Sequence, residues 1–546
     1  MRASTPSSAR LFGWAAALGV LAGMPCELAR GADSQPAGSG AAEAVTRTSP
    51  RTIDVNEYRV EGAHHLSAAE VEAALDPFLG PGRALEDVEA GRAALEKAYS
   101  DKGYQSVTVA VPQQTVRDGI VALHVTEGKV GRLRVRGSRY FLLSEVRRQA
   151  PSVAEGTVPN FNDIVRDIVL LNQIPDRRVT PALRAGVVPG TVDVDLNVQD
   201  TLPLHGSLEY DNRYSSDTTQ ARLNGSLHYD NLWQAGHSLS LAFQLAPRRP
   251  SDAKVFSGSY LARLPETSWL SFTLNGVIQD SDVSTLGGIG VKGRGRIFGG
   301  RVTFTLPGGM AFYHTLSAGP DYKRFQETTT LGENSLSNPI TYWPFSVQYG
   351  ASWQGESSAT LLSTSIVFNV RGLSSDAATF DNKRYRASGG FTYGRAELSR
   401  TDELWQGLQL FGRVQGQYAP DPLIGSEQLT AGGAESVRGY LEVQASGDYG
   451  ALGTVELRSP SLARWFGKPI LSEWRVLVFA EGGRLRIHDP LPEQKDGFSL
   501  RSVGGGTRLK LFDRLDSAVD IGVPLTSEGA TRRFHPRFHV RLRTEF

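Results

Sequence analysis

One cysteine, Cys26, stands in 546 residues. The chain can therefore close no internal disulfide and build no cysteine-based metal site. Long apolar runs are also missing. Past the N-terminus no stretch approaches the ~20 consecutive apolar residues that a helical span needs, which excludes a multi-span helical transporter. Charge of one sign is missing as well: 58 Lys+Arg against 57 Asp+Glu leave a net charge of +1. That balance argues against a basic nucleic-acid partner. No GxSxG, HExxH or P-loop motif occurs, so no catalysis, cofactor or metal is expected. The length fits three or four soluble domains of ~150 residues, or one large barrel with smaller domains.

What is present begins with Arg2 and Arg10 ahead of an apolar run, Leu11 to Gly23, followed by Pro25 and the small pair Gly31-Ala32. A basic start, a short apolar stretch and a small-residue exit predict a secretory signal peptide over 1–31, with Cys26 leaving in it. Residues 32–51, rich in Ala, Gly, Ser, Thr and Pro, read as a linker. An exported chain without thiols points to periplasm, outer membrane or medium.

Two mixed units follow. Over 52–130, Glu57–Val60 reads as a strand, and Ser67 with Glu70 three residues on as a capping box. Val71, Leu75 and Phe78 form the apolar face of that helix. A second helix carries Val88, Leu95, Ala98 and Tyr99 and ends at Gly103. Val107, Val109 and Val111 alternate as a strand, and Ile120–Val125 is another. The order β-α-α-β-β recurs over 131–200. Leu133 and Val135 lie on its first strand, helices run near 142–149 and 161–171, and strands near 178–183 and 191–198.

After Asp200 helical periodicity gives way to alternation. Leu239, Leu241, Phe243 and Leu245 alternate with polar residues, as do Val302, Phe304 and Leu306. About sixteen such segments are expected over 201–546, beginning near Leu204 and including starts near Tyr342, Arg384 and Arg533. Alternating segments of about ten residues separated by turn residues predict a transmembrane β-barrel with apolar side chains toward lipid and polar ones toward the lumen. An even strand number puts both barrel ends on the periplasmic side. A string of soluble sandwiches is the alternative, but no linkers divide this stretch. Phe538, Val540, Leu542, Thr544 and Phe546 share one face of the last segment. Phe546 resembles the terminal aromatic of the bacterial outer-membrane insertion signal.

Between segments eleven and twelve, in what would be the sixth extracellular loop, stands Val437-Arg438-Gly439-Tyr440, and segment thirteen holds Phe479-Ala480-Glu481-Gly482. These resemble the Omp85 superfamily, whose sixth loop carries a VRG(F/Y) tip folded back into the barrel and whose wall carries Phe-x-Asp; here Glu481 stands in place of the aspartate. A guanidinium–carboxylate pair supplies directional, charge-assisted bonds to hold such a loop. Two β-α-α-β-β units resemble the paired POTRA domains of two-partner secretion transporters, the haemolysin-activator and filamentous-haemagglutinin-transporter type. Leu171-Asn172-Gln173-Ile174-Pro175 is similar to that family's Leu-Asn-x-x-Pro. Asp211-Asn212, Asn231-Leu232 and Pro189-Gly190 fall where the family places them, whereas Gly236-His237 stands where it often has Gly-Asp, and no plug helix is evident in 32–51.

The resemblance implies an outer-membrane translocator, monomeric and without cofactor. It would secrete a cognate unfolded exoprotein, haemolysin- or adhesin-like, that carries an N-terminal secretion domain. It implies periplasmic POTRA domains that dock the substrate, a sixth loop that gates or stabilises the pore, and insertion into outer-membrane lipid by the barrel-assembly machinery. Docking by β-augmentation needs an exposed strand edge. Arg178, Val179, Thr180 and Leu183 are the candidate edge, with Pro181 tolerated there; a groove between strand and helix is the alternative. An Omp85-type insertase and a passive porin remain as other readings. Gly288–Gly293 matches GxGxxG but lies in a barrel hairpin and not before a helix, so it reads as a flexible loop. His64-His65 reads as a surface turn. Glu456 and Arg458 read as polar wall, and Arg301, Arg413 and Arg475 as lumen cations available to a passing polar chain.

Overall fold

The computed structural model describes residues 52–546 apart from 217, 265–266, 268, 285–290, 310, 332–333, 466–469 and 493. The expected signal peptide and the linker to residue 51 lie outside the described residues, as do Gly288 and Gly290. The chain divides into two compact units after Leu202.

In the first unit a short pair, β1 (Ile53–Val55) with β3 (Gly80–Arg83), accompanies a three-stranded sheet. There β2 (Glu57–Glu61) runs parallel to β5 (Ile120–Glu127), and β4 (Val107–Ala110) pairs antiparallel with β5. Helices α1 (Ala68–Leu75) and α2 (Leu85–Asp101) bury Leu75, Leu95 and Tyr99 against Val107, Val109, Leu123 and Val125. The Ser67 amide donates to Glu70 at 2.9 Å and starts α1. Phe78 lies beyond α1, in a single 3-10 turn. Gly103, at φ +95°, ends α2 in a conformation that costs a side chain strain. The His64-His65 turn is fixed by Glu127, which accepts both backbone amides (2.8 and 2.9 Å), binds His65 Nδ1 (2.8 Å) and accepts the Tyr99 hydroxyl (3.0 Å). Burial pushes this carboxyl up, yet the bonds from His64, His65 and Tyr99 outweigh it and hold Glu127 below the usual carboxylate value.

The same order follows again: β6 (Lys129–Arg136), α3 (Leu143–Arg148), α4 (Phe161–Leu171), β7 (Arg177–Ala185) and β8 (Thr191–Asp200). Here too the sheet is mixed, in the order β6-β8-β7, with β6 parallel and β7 antiparallel to β8. Leu133, Val146, Ile164, Leu171, Val179, Val194 and Leu196 form its core. The two domains meet where α2 ends and α4 begins: Phe161 N–H donates to Gly103 O at 2.8 Å and Asn160 Nδ2 to Lys102 O at 2.9 Å.

The second unit is a closed antiparallel barrel. Its strands are β9 (Leu204–Asp211), β10 (Arg222–Leu232), β11 (His237–Leu245), β12 (Ala253–Arg263), β13 (Leu270–Ser284), β14 (Val291–Thr305) and β15 (Phe312–Leu331). Then come β16 (Asn334–Tyr342), β17 (Pro344–Gln354), β18 (Ser358–Asn369), β19 (Thr392–Glu403) and β20 (Gln409–Tyr418). After two short loop strands, β21 (Leu429–Ala431) and β22 (Ala445–Gly447), the wall resumes with β23 (Tyr449–Arg458), β24 (Leu471–Arg486), β25 (Gly497–Leu511), β26 (Leu515–Pro524) and β27 (Arg537–Glu545). Both β16 and β17 pair with β15, as two halves of one wall strand broken at Trp343, so the wall has sixteen strands. No helix among the described residues is long and apolar enough to cross a membrane; strands make the crossing.

Leu208, Tyr210, Leu227, Leu241, Ile278 and Val414 are exposed on the outer face, as lipid-facing side chains of a barrel are. Trp233, Trp269, Trp405 and Trp465 are exposed beside turns at one end, the periplasmic one by strand count, where amphipathic rings anchor a barrel at the headgroup level. Two expected segments differ: the eighth wall strand begins at Asn334 and not near Tyr342. The tenth begins at Thr392 and not near Arg384, because 371–391 form an outer loop with a helix, α5 (Ala377–Lys383). Phe380 and Phe391 are buried there in a cluster with Tyr342, Leu423 and Ile424, so their apolar spacing marks a loop core instead of a lipid face.

Candidate functional site

The sixth outer loop runs from residue 419 to 448, between β20 and β23. Its short β21–β22 stem pairs Leu429 with Gly447 and Ala431 with Ala445. Gly432 and Gly433, at φ +105° and +103°, then turn the chain into the lumen. At the tip Val437 and Tyr440 are fully buried, in a cluster with Leu452, Leu485 and Leu500 of the wall. The Tyr440 hydroxyl donates to Thr526 O (2.8 Å).

Arg438 is only 2% exposed, and its partners come from three wall strands. Its backbone N–H donates to Glu481 Oε2 (2.6 Å), while Nε and Nη2 donate to Glu481 Oε1 (2.9 and 2.6 Å). Nη2 also reaches Glu456 Oε1 (2.5 Å), and Nη1 lies 3.5 Å from Asp520 Oδ1. The guanidinium carbon sits 3.5 Å above the centre of the Phe479 ring, a cation–π contact. Glu481 thus serves both the backbone and the side chain of one residue, which the reach of its longer stem allows. Gly482, next in β24, faces the other way and pairs with Gly453 and Arg501.

Glu456 is a partner of the loop arginine and not only wall. Arg458 holds its other oxygen (2.8 and 2.6 Å). Sequence reasoning missed Asp520 and His539, which accepts the Gly439 N–H at Nε2 (2.9 Å). A usable signal existed: both alternate with outward Ile521, Phe538 and Val540, which marks them as lumen residues. Arg301, Arg413 and Arg475 do line the wall but are engaged there. Arg301 pairs with Asp321 (2.7 Å), Arg413 with Glu397 (2.9 Å), and Arg475 with Glu473 (2.5 Å).

The loop base has a separate hold that no sequence motif announced. Glu427, 1% exposed, accepts the Tyr342 and Tyr393 hydroxyls (2.6 Å each) and Lys323 Nζ (2.7 Å). Fully buried Asp448 accepts from the backbones of Leu423 (3.0 Å) and His488 (2.7 Å), Gln428 Nε2 (2.9 Å) and Arg384 Nη2 (3.1 Å).

The tip needs room opposite Gly439, which has φ +94°. A Cβ on Gly522 of β26 would stand 2.5 Å from Gly439 N and 2.6 Å from Arg438 C. Gly522→Leu is therefore expected to unseat the tip by steric exclusion while leaving every charged partner in place. The variant should keep the heat-modifiable gel migration of a folded barrel and show higher conductance in planar bilayers. Wild-type conductance would refute the role of this seat.

The comparisons with known proteins fall on both units. Residues 53–128 match the model of the ShlB-type POTRA domain, and residues 190–509 match the model of the haemolysin secretion/activation protein ShlB/FhaC/HecB. The second match covers more than half of the chain. The chain belongs to this family. It is an outer-membrane translocator of the two-partner secretion type, with a periplasmic POTRA domain. Among its relatives, the outer membrane transporter CdiB of Dickeya dadantii is 24% identical over 452 residues, 78% of this chain and 75% of that protein. The heme/hemopexin transporter protein HuxB of Haemophilus influenzae is 21% identical over 473 residues, 83% of this chain and 80% of that one. The structure of CdiB from Escherichia coli shares the fold at a TM-score of 0.62 and 20% identity, covering 93% of each chain.

In the second periplasmic domain of the transporter, β7 is the sheet edge that carries Arg178, Val179, Thr180 and Leu183. The edge is partly closed. Asn172 lays its side chain along it as a false strand: Val179 N–H donates to Asn172 Oδ1 (2.6 Å), and Asn172 Nδ2 donates to Val179 O (3.1 Å). By alternation the next outward position is Pro181, which has no N–H. Full β pairing along Arg178–Leu183 is therefore blocked until Leu183, which is 44% exposed. Leu142, Leu143, Phe161 and Val169 are exposed on and around α3 and α4 of the same domain. At the other terminus, Phe546 and Gly206 exchange N–H···O bonds of 3.0 Å, and the Phe546 ring lies over Gly206.

Proposed function

We propose that the transporter carries a cognate, unfolded, β-rich exoprotein from the periplasm to the cell surface. The periplasmic domains dock its N-terminal secretion domain, and the sixth loop closes the pore between transport events. The observation that carries this reading is the loop tip folded into the lumen on a buried arginine shared by three wall carboxylates. Such bonds are directional and break together, which suits a plug that must leave and return. Folding of the exoprotein outside supplies the drive. Docking uses the exposed apolar side chains on and around α3 and α4 together with Leu183, in preference to the edge that Asn172 and Pro181 close. Residues 52–130 and 131–200 serve as two POTRA domains in this scheme.

The test is co-expression with the exoprotein encoded beside the transporter. Surface delivery should require the transporter, and Leu183→Asp with Phe161→Asp should cut it about tenfold or more. Each loses an apolar contact worth ~1.5 kcal/mol or more, while barrel insertion continues. Delivery that persists without the transporter would defeat the proposal, and defective assembly of other barrels in its absence would favour an insertase.

A further inference from the structure

His205 is the second residue of β9, and His228 stands directly opposite it in β10. Their rings lie 5.0 Å apart, tilted by 31°. Both face the lumen, because the residues that alternate with them, Leu208, Tyr210 and Leu227, are exposed on the outer wall. Asp230 follows two residues after His228 on the same face, and its Oδ2 lies 3.3 Å from His228 Nε2. One donor atom from each of the three lies within 4.8 Å of the others. The sequence spacing conceals this group, since it takes the hairpin register to bring His205 to His228.

We propose that His205, His228 and Asp230 bind a divalent transition ion of the Zn2+ class at the periplasmic end of the lumen. Two imidazoles and a carboxylate are a borderline donor set that suits Zn2+ over Mg2+ or Ca2+ and leaves a fourth position for water. Bonds of about 2.0–2.2 Å to a tetrahedral ion place donor atoms roughly 3.3 Å apart. The half-buried side chains need close by at most about 1.5 Å, through side-chain rotation alone, with the backbone fixed by the β9–β10 ladder.

The neighbours define which residues take part. His237 is excluded, since its Nδ1 binds the Tyr260 hydroxyl (2.5 Å) and its Nε2 faces Arg263 O (3.0 Å). Arg263 attracts Asp230 but is held on its own hairpin by Gly236 O (2.5 Å) and Ser238 Oγ (2.8 Å). On the next rung Ser207 and Ser226 bind each other (2.7 Å). A bound ion would tie β9 to β10 next to the place where β9 closes the barrel on β27.

Zn2+ binding to the full-length protein in detergent tests this by titration calorimetry. Wild type should bind one equivalent that His205→Asn, His228→Asn and Asp230→Asn each weaken at least about tenfold. Cu2+ as a probe should give an electron paramagnetic resonance spectrum with two nitrogen ligands in the wild type and one in either histidine variant. A readout on unmodified protein covers variants that fail to fold: Zn2+ should protect His205 and His228, but not His64, from diethyl pyrocarbonate, scored by mass spectrometry. Zn2+ binding unchanged in folded variants, an absence of binding, or equal modification of His205 and His228 with and without Zn2+ would overturn the proposal.

Discussion

Arg438→Ala is expected to yield a barrel that inserts into the outer membrane but delivers far less exoprotein. The three carboxylates around Arg438 are not equivalent. Glu456 keeps Arg458 at 2.6 Å, and Asp520 keeps two bonds from Arg508 at 2.8 and 2.9 Å. Glu481 has Arg438 as its cation and, beyond it, a long contact from the Thr454 hydroxyl at 3.5 Å. Removing the arginine leaves that buried carboxylate uncompensated, a loss of roughly 3–5 kcal/mol in a dry site and less beside lumen water. The tip then retains the backbone N–H bond of residue 438 to Glu481, the Tyr440 hydroxyl bond and the Gly439–His539 contact, too little to define one closed position. Conductance should rise and fluctuate, and secretion should fall because the plug no longer resets. Glu481→Ala should match Arg438→Ala, whereas Glu456→Gln and Asp520→Asn should be milder. Arg438→Lys should fall between, since an ammonium cannot supply the Nε and Nη2 pair. Heat-modifiable migration, bilayer conductance and surface exoprotein measure the three effects. An inserted Arg438→Ala protein that secretes normally would sink the idea.

Strand alternation is a local property, so the barrel, its lipid face and even the strand number are legible in the sequence. The β-α-α-β-β repeats were legible for the same reason, through capping at Ser67 and Gly103 and the valines of β4. Legibility stopped where contacts depend on closure. Asp520 meets Arg438, and His539 meets Gly439, only because β26 and β27 come round to face the loop, and nothing within their own segments names those partners. The outer loop that begins past Asn369 misled, since Ala387 and Phe391 fall on one face as in a strand; burial in a cluster with Tyr342 and Leu423 explains the pattern instead. Asn172 shows the reverse case. Its motif was visible, but its use as a cap on Val179 required the fold, and that cap narrows where a substrate strand can add.

The loop base should respond more severely than the tip to loss of a single carboxylate. Glu427→Ala removes the acceptor of Lys323, Tyr342 and Tyr393 at once, from β15, β16 and β19. An ammonium is then left over the ring of buried Tyr342 without its carboxylate. Breaking a buried pair from one side costs about 3–5 kcal/mol, and removing both charges together costs less. Lys323→Met combined with Glu427→Gln should accordingly recover much of the loss, a coupling that a double-mutant cycle reads directly. The expected result for Glu427→Ala is a folded barrel whose loop 419–448 is cleaved by protease added outside intact cells, with raised conductance although Arg438 and Glu481 are untouched. The tip and the base are thus two holds of different kinds. The tip hangs on one arginine and its carboxylates, while the base is tied to three strands, so the gating proposed above would displace residues 432–444 about a fixed stem. A protease-resistant loop and wild-type conductance in inserted Glu427→Ala would show instead that the stem needs no such anchor.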